Sequence, residues 1–149
     1  CGKTTILRDI IRQISNQGIN ISVVDERCEI SGIYLGNIQF DLGICTDVLC
    51  CYSKSIGMNM MLRSMAPKII AVDEIGSNDD ILAIHNLLNS GVKIIATIHC
   101  NTIENILQKP FIENIVKEKI FDSYIILNNN KKTGELYKIY DKELNIVWQ

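Results

Sequence analysis

The stretch Lys68-Ile69-Ile70-Ala71-Val72-Asp73-Glu74 decides the fold. Its apolar run does not alternate inward and outward residues, so it reads as a strand covered on both faces, the mark of a parallel sheet between helices. Ala66-Pro67 stops the preceding element, because proline has no amide to continue a helix. Upstream, Met58, Met61, Leu62 and Met65 repeat at helical spacing. Downstream, Asn78-Asp79-Asp80 is expected to cap a helix with apolar residues Ile81, Ile84 and Leu88, closed by Asn89-Ser90-Gly91. Val92 to Ile98 is a second such strand, ending at His99. It leads through Asn101-Thr102 into a helix broken by Pro110, then a further helix to about Lys119.

Nearer the start, Leu7, Ile10, Ile11 and Ile14 fall at the spacing of an amphipathic helix that begins right after Gly2-Lys3-Thr4-Thr5 and ends at Asn16-Gln17-Gly18. Ile19 to Asp25 reads as another buried strand, followed by Glu26-Arg27-Cys28-Glu29. Ser31 to Ser53 holds no clean period and is expected to be loop with a short hairpin. Tyr124 to Leu127 and Leu136 to Tyr140, separated by a polar segment that includes Lys131 and Lys132, read as a terminal β-hairpin; the two lysines belong to a solvated turn. The expected class is α/β, a mainly parallel sheet with helices on both faces and a C-terminal β-hairpin, forming one domain over residues 1–149.

Composition agrees with a globular chain and narrows its partners. The 149 residues are 47% hydrophobic and 21% charged, with 15 Lys and Arg against 17 Asp and Glu. A chain this long buries roughly two thirds of its unfolded surface and folds without staples. No apolar run approaches the ~20 residues of a membrane span. Slight acidity without a Lys/Arg block argues against nucleic-acid binding through overall charge. Six cysteines occur, none in a C-x-x-C pair, with Cys50 beside Cys51. That spacing fits neither zinc nor a disulfide framework, and reduced thiols in a cytosolic protein are expected.

In an open parallel sheet, ligands bind at the carboxyl ends of the strands. Those ends here carry Asp25-Glu26, Asp73-Glu74 and Thr97 with His99. Gly2-Lys3-Thr4 matches the end of the P-loop pattern G-x-x-x-x-G-K-[ST], in which backbone amides and a helix N-terminus meet phosphate. Only the second half of that loop lies in the chain. The chain therefore reads as cut from a longer protein, and it is expected to bind ATP more weakly than that protein. Apolar residues running into Asp73-Glu74 form the Walker B pattern, an Asp for Mg2+ beside a Glu that handles water. The order and spacing of these motifs point to nucleotide binding.

Together, Gly2-Lys3-Thr4-Thr5, Val23-Val24-Asp25-Glu26-Arg27, Thr46-Asp47-Val48-Leu49, Gly57-Met58 with Met61-Leu62-Arg63-Ser64-Met65, Ala71-Val72-Asp73-Glu74-Ile75-Gly76 and Ala96-Thr97-Ile98-His99 resemble the stage III sporulation protein AA family. These are RecA-like P-loop ATPases related to the motors of type II and type IV secretion and of type IV pili. The resemblance implies that Gly2, Lys3, Thr4 and Thr5 hold ATP, with Lys3 on the β/γ-phosphates and Thr4 on Mg2+. Asp73 would hold the metal through water, and Glu74 would orient or deprotonate the hydrolytic water. It further places Asp25 and Glu26 near metal and γ-phosphate, Thr97 and His99 in a γ-phosphate-sensing segment, and Arg63 or Arg27 as an arginine that reaches a neighbouring subunit's site.

His85, at i+4 from Ile81, is expected to be a packed residue without a role, and Arg8 and Arg12 to face solvent or a partner. The implied protein is a Mg2+-dependent ATPase working as a homo-oligomeric ring, a hexamer. It would serve a membrane-embedded sporulation or secretion complex from the cytoplasm, at the inner face of the membrane on the mother-cell side. Two other readings are a nucleotide-gated scaffold with little turnover and a RecA-type nucleic-acid motor. Glu74 speaks against the first and the lack of a basic cluster against the second.

Overall fold

The computed structural model describes residues 2–99, 110–128 and 135–149. Contacts divide the chain into two compact units, Thr4–Ile98 and Cys1–Lys3 with His99–Gln149. The first contains α1 (Lys3–Ser15) from Thr4 onward, β1 (Ile21–Asp25), β2 (Thr46–Cys50), α2 (Lys54–Met65), β3 (Ile69–Val72), α3 (Asn78–Asn89) and β4 (Lys93–Ala96). Its four strands form one parallel sheet in the order β2-β1-β3-β4.

The register explains how both faces are covered. Val23 stands beside Val48 and Ala71, and Ala71 beside Ile95, so these side chains share a face. Leu7 and Ile11 of α1 pack there, with Ile21, Ile30 and Leu42. Val24, one residue out of phase, points to the other face and meets α2. A Cβ on Gly57 would lie 2.5 Å from Val24 Cγ1, so glycine is what lets α2 approach β1 this closely. All five residues of β1 are buried, as expected of a strand flanked on both sides and both faces.

Several elements differ from the sequence reading. Ser31 to Ser53 contains β2, which pairs with β1 over five residues, besides a small bridge between Tyr34 and Asn37. As an edge strand opening with Thr46-Asp47, β2 is only half-buried and lacks the apolar run that marks the others. The helix after β3 is capped by Ser77, not by Asn78 to Asp80. The Ser77 hydroxyl accepts the Asp80 amide, and the Asp80 carboxylate accepts the Ser77 amide, a reciprocal capping box. The expected stop at Ala66-Pro67 is present: Ala66 ends α2 with left-handed φ of 46°.

Because β1 is flanked by β2 on one side and β3 on the other, the connections diverge between β1 and β3. The crevice at their carboxyl ends is where such a sheet takes a ligand. Asp25 ends β1, and Asp73 directly follows β3.

The second unit contains α4 (Pro110–Lys117) and an antiparallel sheet of β5 (Ser123–Leu127), β6 (Leu136–Asp141) and β7 (Ile146–Trp148). The terminal hairpin thus gains a third strand, short and exposed along its length. Ile115 and Tyr124 are its buried anchors, with the Phe121 ring edge-on to Tyr124. Asp141 turns β6 into β7 by accepting the amides of Glu143 and Asn145, and hydrogen bonds from Asn145 hold its carboxyl below the usual range. The segment expected to run from Asn101-Thr102 to a break at Pro110, and the turn with Lys131 and Lys132, lie outside the described residues. Among the described residues no helix is long and apolar enough to cross a membrane.

Candidate functional site

Three of the predicted residues meet at the end of β3. Thr4, in the first turn of α1, donates its hydroxyl to Asp73 Oδ2 at 2.8 Å, a contact across 69 residues of sequence. Thr97, just past β4, donates to the other Asp73 oxygen, Oδ1. The same Thr97 hydroxyl accepts the Glu74 amide at 2.9 Å. Backbone pairing extends past the strand ends, Thr97 N–H to Val72 O and Ile75 N–H to Thr97 O, so Thr97 fixes the Asp73-Glu74 corner from the adjacent strand. Glu74 itself takes a left-handed φ of 51°, uncommon for a residue with a side chain. Its exposed carboxylate lies 3.6 Å from Arg27 Nη1.

Asp25 and Glu26 are differently employed. Asp25 is 2% exposed and accepts the Ile30 amide at 3.1 Å, the Ser31 amide at 2.8 Å and the Ser31 hydroxyl at 2.6 Å. This carboxylate, expected near the metal, is committed to holding the loop that follows β1. Glu26 accepts from Lys54 Nζ at 2.5 Å. Asp25, Glu26, Arg27, Glu29, Lys54, Asp73 and Glu74 line a small open cleft at the switch point between β1 and β3.

The remaining predicted residues are not among those lining the cleft. Gly2 precedes α1 with left-handed φ of 79°, and Thr5 is exposed one position beyond Thr4. Lys3 Nζ lies 3.4 Å from His99 Nδ1, both within the second unit. Arg63 is exposed in the last turn of α2, about 13 Å along the helix axis from Lys54 at ~1.5 Å per residue. His85 is half-buried on α3. Arg12 pairs with Asp9 on the surface of α1. Arg8, expected to face solvent or a partner, instead donates to the carbonyls of Ile30 at 2.8 Å and Glu29 at 3.0 Å and covers the Phe40 ring. The loop after β1 folds back over α1, a long-range arrangement that helical periodicity does not reveal.

Sequence reasoning missed Lys54, Ser31 and Arg8. Only Lys54 left a signal: a cation in the first turn of a helix opposes the helix dipole, and here Glu26 offsets it. Among the described residues no three His, Cys, Asp or Glu side chains converge on a metal position. The donors at the Asp73 corner are instead hydroxyl and carboxylate oxygens. That chemistry suits Mg2+, a hard cation bound through one or two protein oxygens with phosphates and water completing its shell.

Residues 1–147 match the family model for sporulation stage III, protein AA. Stage III sporulation protein AA of Bacillus subtilis is 38% identical over 152 residues, covering 98% of this chain and 49% of that protein. The uncharacterized protein ycf45 of Cyanidium caldarium is 28% identical over 138 residues, 89% of this chain and 41% of that one. Among solved structures, the Legionella pneumophila ATPase DotB is similar with a TM-score of 0.64 and 13% identity, over 94% of this chain and 42% of DotB. At that identity the likeness shows the fold alone. The chain belongs to the sporulation stage III protein AA family, and it spans about half the length of the Bacillus subtilis relative.

Proposed function

We propose that this chain is the RecA-like nucleotide-hydrolysing region of a Mg2+-dependent ATPase, which works as a ring and drives a membrane-associated sporulation machine. The observation that carries the reading is the Thr4 to Asp73 hydrogen bond. It joins the Lys-Thr of a half P-loop to the Asp of a Walker B strand, 69 residues apart in sequence. Because the Thr4 proton is donated to Asp73, the hydroxyl lone pairs are what Thr4 offers a cation. Asp73 receives a second donor from Thr97, so its charge is held in place and can bind a metal-bound water. A Mg2+ ion held there supplies charge neutralisation to the phosphates. Glu74, beside Asp73 and exposed to the cleft, is the group to accept a proton from the attacking water. Lys3 and the first amides of α1 hold phosphate, as the motif implies. Arg27, already at the Glu74 carboxylate, is better placed than Arg63 to act on a γ-phosphate. Arg63 remains a candidate only for a neighbouring subunit's site.

The test uses the full-length protein. MgATP turnover is expected for the wild type, loss of ATP binding for Lys3→Ala, and loss of turnover with binding retained for Arg27→Ala. Mixing the two variants restores turnover if the arginine acts across a subunit boundary. Recovery with Lys3→Ala plus Arg63→Ala instead assigns that role to Arg63. Absence of any MgATP hydrolysis by the wild-type protein refutes the reading in favour of a nucleotide-gated scaffold.

A further inference from the structure

Cys28 and Cys51, 23 residues apart in sequence, bring their Sγ atoms to 3.6 Å. Cys28 lies three residues past β1 and Cys51 directly past β2, so the pair spans the turn after one strand and the approach to α2. Both hold left-handed backbone, with φ of 55° and 65°. Glycine is the ordinary residue there, so turn geometry does not account for a thiol at either position. Both are free thiols, Cys51 exposed and Cys28 half-buried. The adjacent Cys50 also touches Cys28, and it lies 3.4 Å from Ser31 Oγ and 3.8 Å from Asp25 Oδ2 as well, so Cys50→Ser is the variant that separates it from Cys51 as the partner. The Cys28 and Cys51 sulfurs need to close by only about 1.5 Å to reach a disulfide bond length.

We propose that Cys28 and Cys51 are a redox-sensitive pair that forms a reversible disulfide and ties the turn carrying Glu26 and Arg27 to the segment leading into Lys54. A peroxide reaches the exposed Cys51 first. Its sulfur attacks one peroxide oxygen, the O–O bond breaks, water leaves, and a sulfenic acid remains. Cys28 then attacks the Cys51 sulfur and the S–O bond breaks. A second water leaves with the Cys28 proton, so two thiols and one peroxide give one disulfide and two waters. A small dithiol reverses the bond by two exchanges. Both thiols sit above their ordinary pKa, Cys28 chiefly through Cys50 and Cys51 chiefly through Cys28. Little thiolate is therefore present at neutral pH and the reaction is slow, so the oxidant must be in excess.

The bond would join the two segments that carry the cations of the cleft, since Arg27 adjoins Cys28 and pairs with Glu74, and Lys54 follows Cys51 by three residues and pairs with Glu26. Its effect on ATP turnover rests on the function proposed above; its formation does not. In the experiment, full-length protein is exposed to hydrogen peroxide, remaining thiols are alkylated, and the chain is cleaved after Asp and Glu. Glu29, Asp41 and Asp47 separate Cys28, Cys45 and the Cys50-Cys51 pair into different peptides. The expected result is a Cys28-to-Cys51 linked peptide and the loss of two thiols. Dithiothreitol reverses it, Cys50→Ser retains it, and both Cys28→Ser and Cys51→Ser abolish it. A linkage that persists in Cys51→Ser, a linkage between molecules, or full alkylation of all thiols overturns the proposal. Turnover of the oxidised wild type should fall several-fold and recover with dithiothreitol, while Cys51→Ser is insensitive to peroxide. A disulfide that forms without changing turnover overturns the clamp and leaves the bond. A wild type inactive before oxidation counts against the ATPase reading, with the thiol map unaffected.

Discussion

Asp25-Glu26 and Asp73-Glu74 are the same dipeptide at the same end of two neighbouring strands, yet they do opposite things. Asp25 is buried and satisfied by Ile30 and Ser31, while Glu26 is paired with Lys54. Asp73 is half-buried and receives hydroxyls from two distant segments, while Glu74 is exposed beside Arg27. Both pairs line the same cleft, but the first is already committed to a loop and to Lys54, while the second is held by two hydroxyls and Arg27. The apolar-run-then-Asp-Glu pattern by itself does not distinguish an anchoring carboxylate from one available for chemistry; what the next segment does with it decides.

The sharpest way to break this comparison is to neutralise the two glutamates in the full-length protein. Glu74→Gln should lower MgATP turnover by roughly two or more orders of magnitude with ATP binding retained, whereas Glu26→Gln should cost under about tenfold. Equal losses, measured by steady-state hydrolysis, would mean that both strand ends serve the reaction.

The aspartates should show the reverse order in stability. Asp25→Ala leaves the buried Ile30 and Ser31 amides without an acceptor, which should cost about 3 kcal/mol in urea unfolding. Asp73→Ala should cost about 1 kcal/mol, because the Thr4 and Thr97 hydroxyls can turn to water. If Asp73→Ala is the more damaging, the anchoring role belongs to the wrong strand here.

Arg8 sharpens the same contrast, since it holds from the carbonyl side the loop that Asp25 holds from the amide side. Arg8→Ala should destabilise by about 1 to 2 kcal/mol through its hydrogen bonds and its contact with Phe40. A double-mutant cycle with Asp25→Ala should show coupling of roughly 0.5 kcal/mol or more. Additive losses would show that the two residues act on independent parts of the loop. The smallest effect is expected at Lys54→Ala, below about 1 kcal/mol, because Glu26 is partly exposed and its ion pair is screened. A larger loss in thermal unfolding would make Glu26 an anchor comparable to Asp25.

The sequence by itself determined the elements whose signal is local. Continuous apolar runs marked β1, β3 and β4, because a strand buried on both faces has nowhere to place polar residues. The 3.6-residue spacing marked α1, and Pro67 marked the end of α2. Thr4, Asp73 and Thr97 were legible because each sits at the end of such an element, where a parallel sheet gathers its ligands. Tertiary structure alone decided what lay between. The edge strand β2 is defined by its pairing with β1 rather than by its own composition, and the loop after β1 takes its shape from Asp25 below and Arg8 above. Likewise Cys28 and Cys51 become neighbours only when β1 and β2 align in register. Periodicity records which face of its own element a residue occupies, and it carries no information about which distant segment will arrive there.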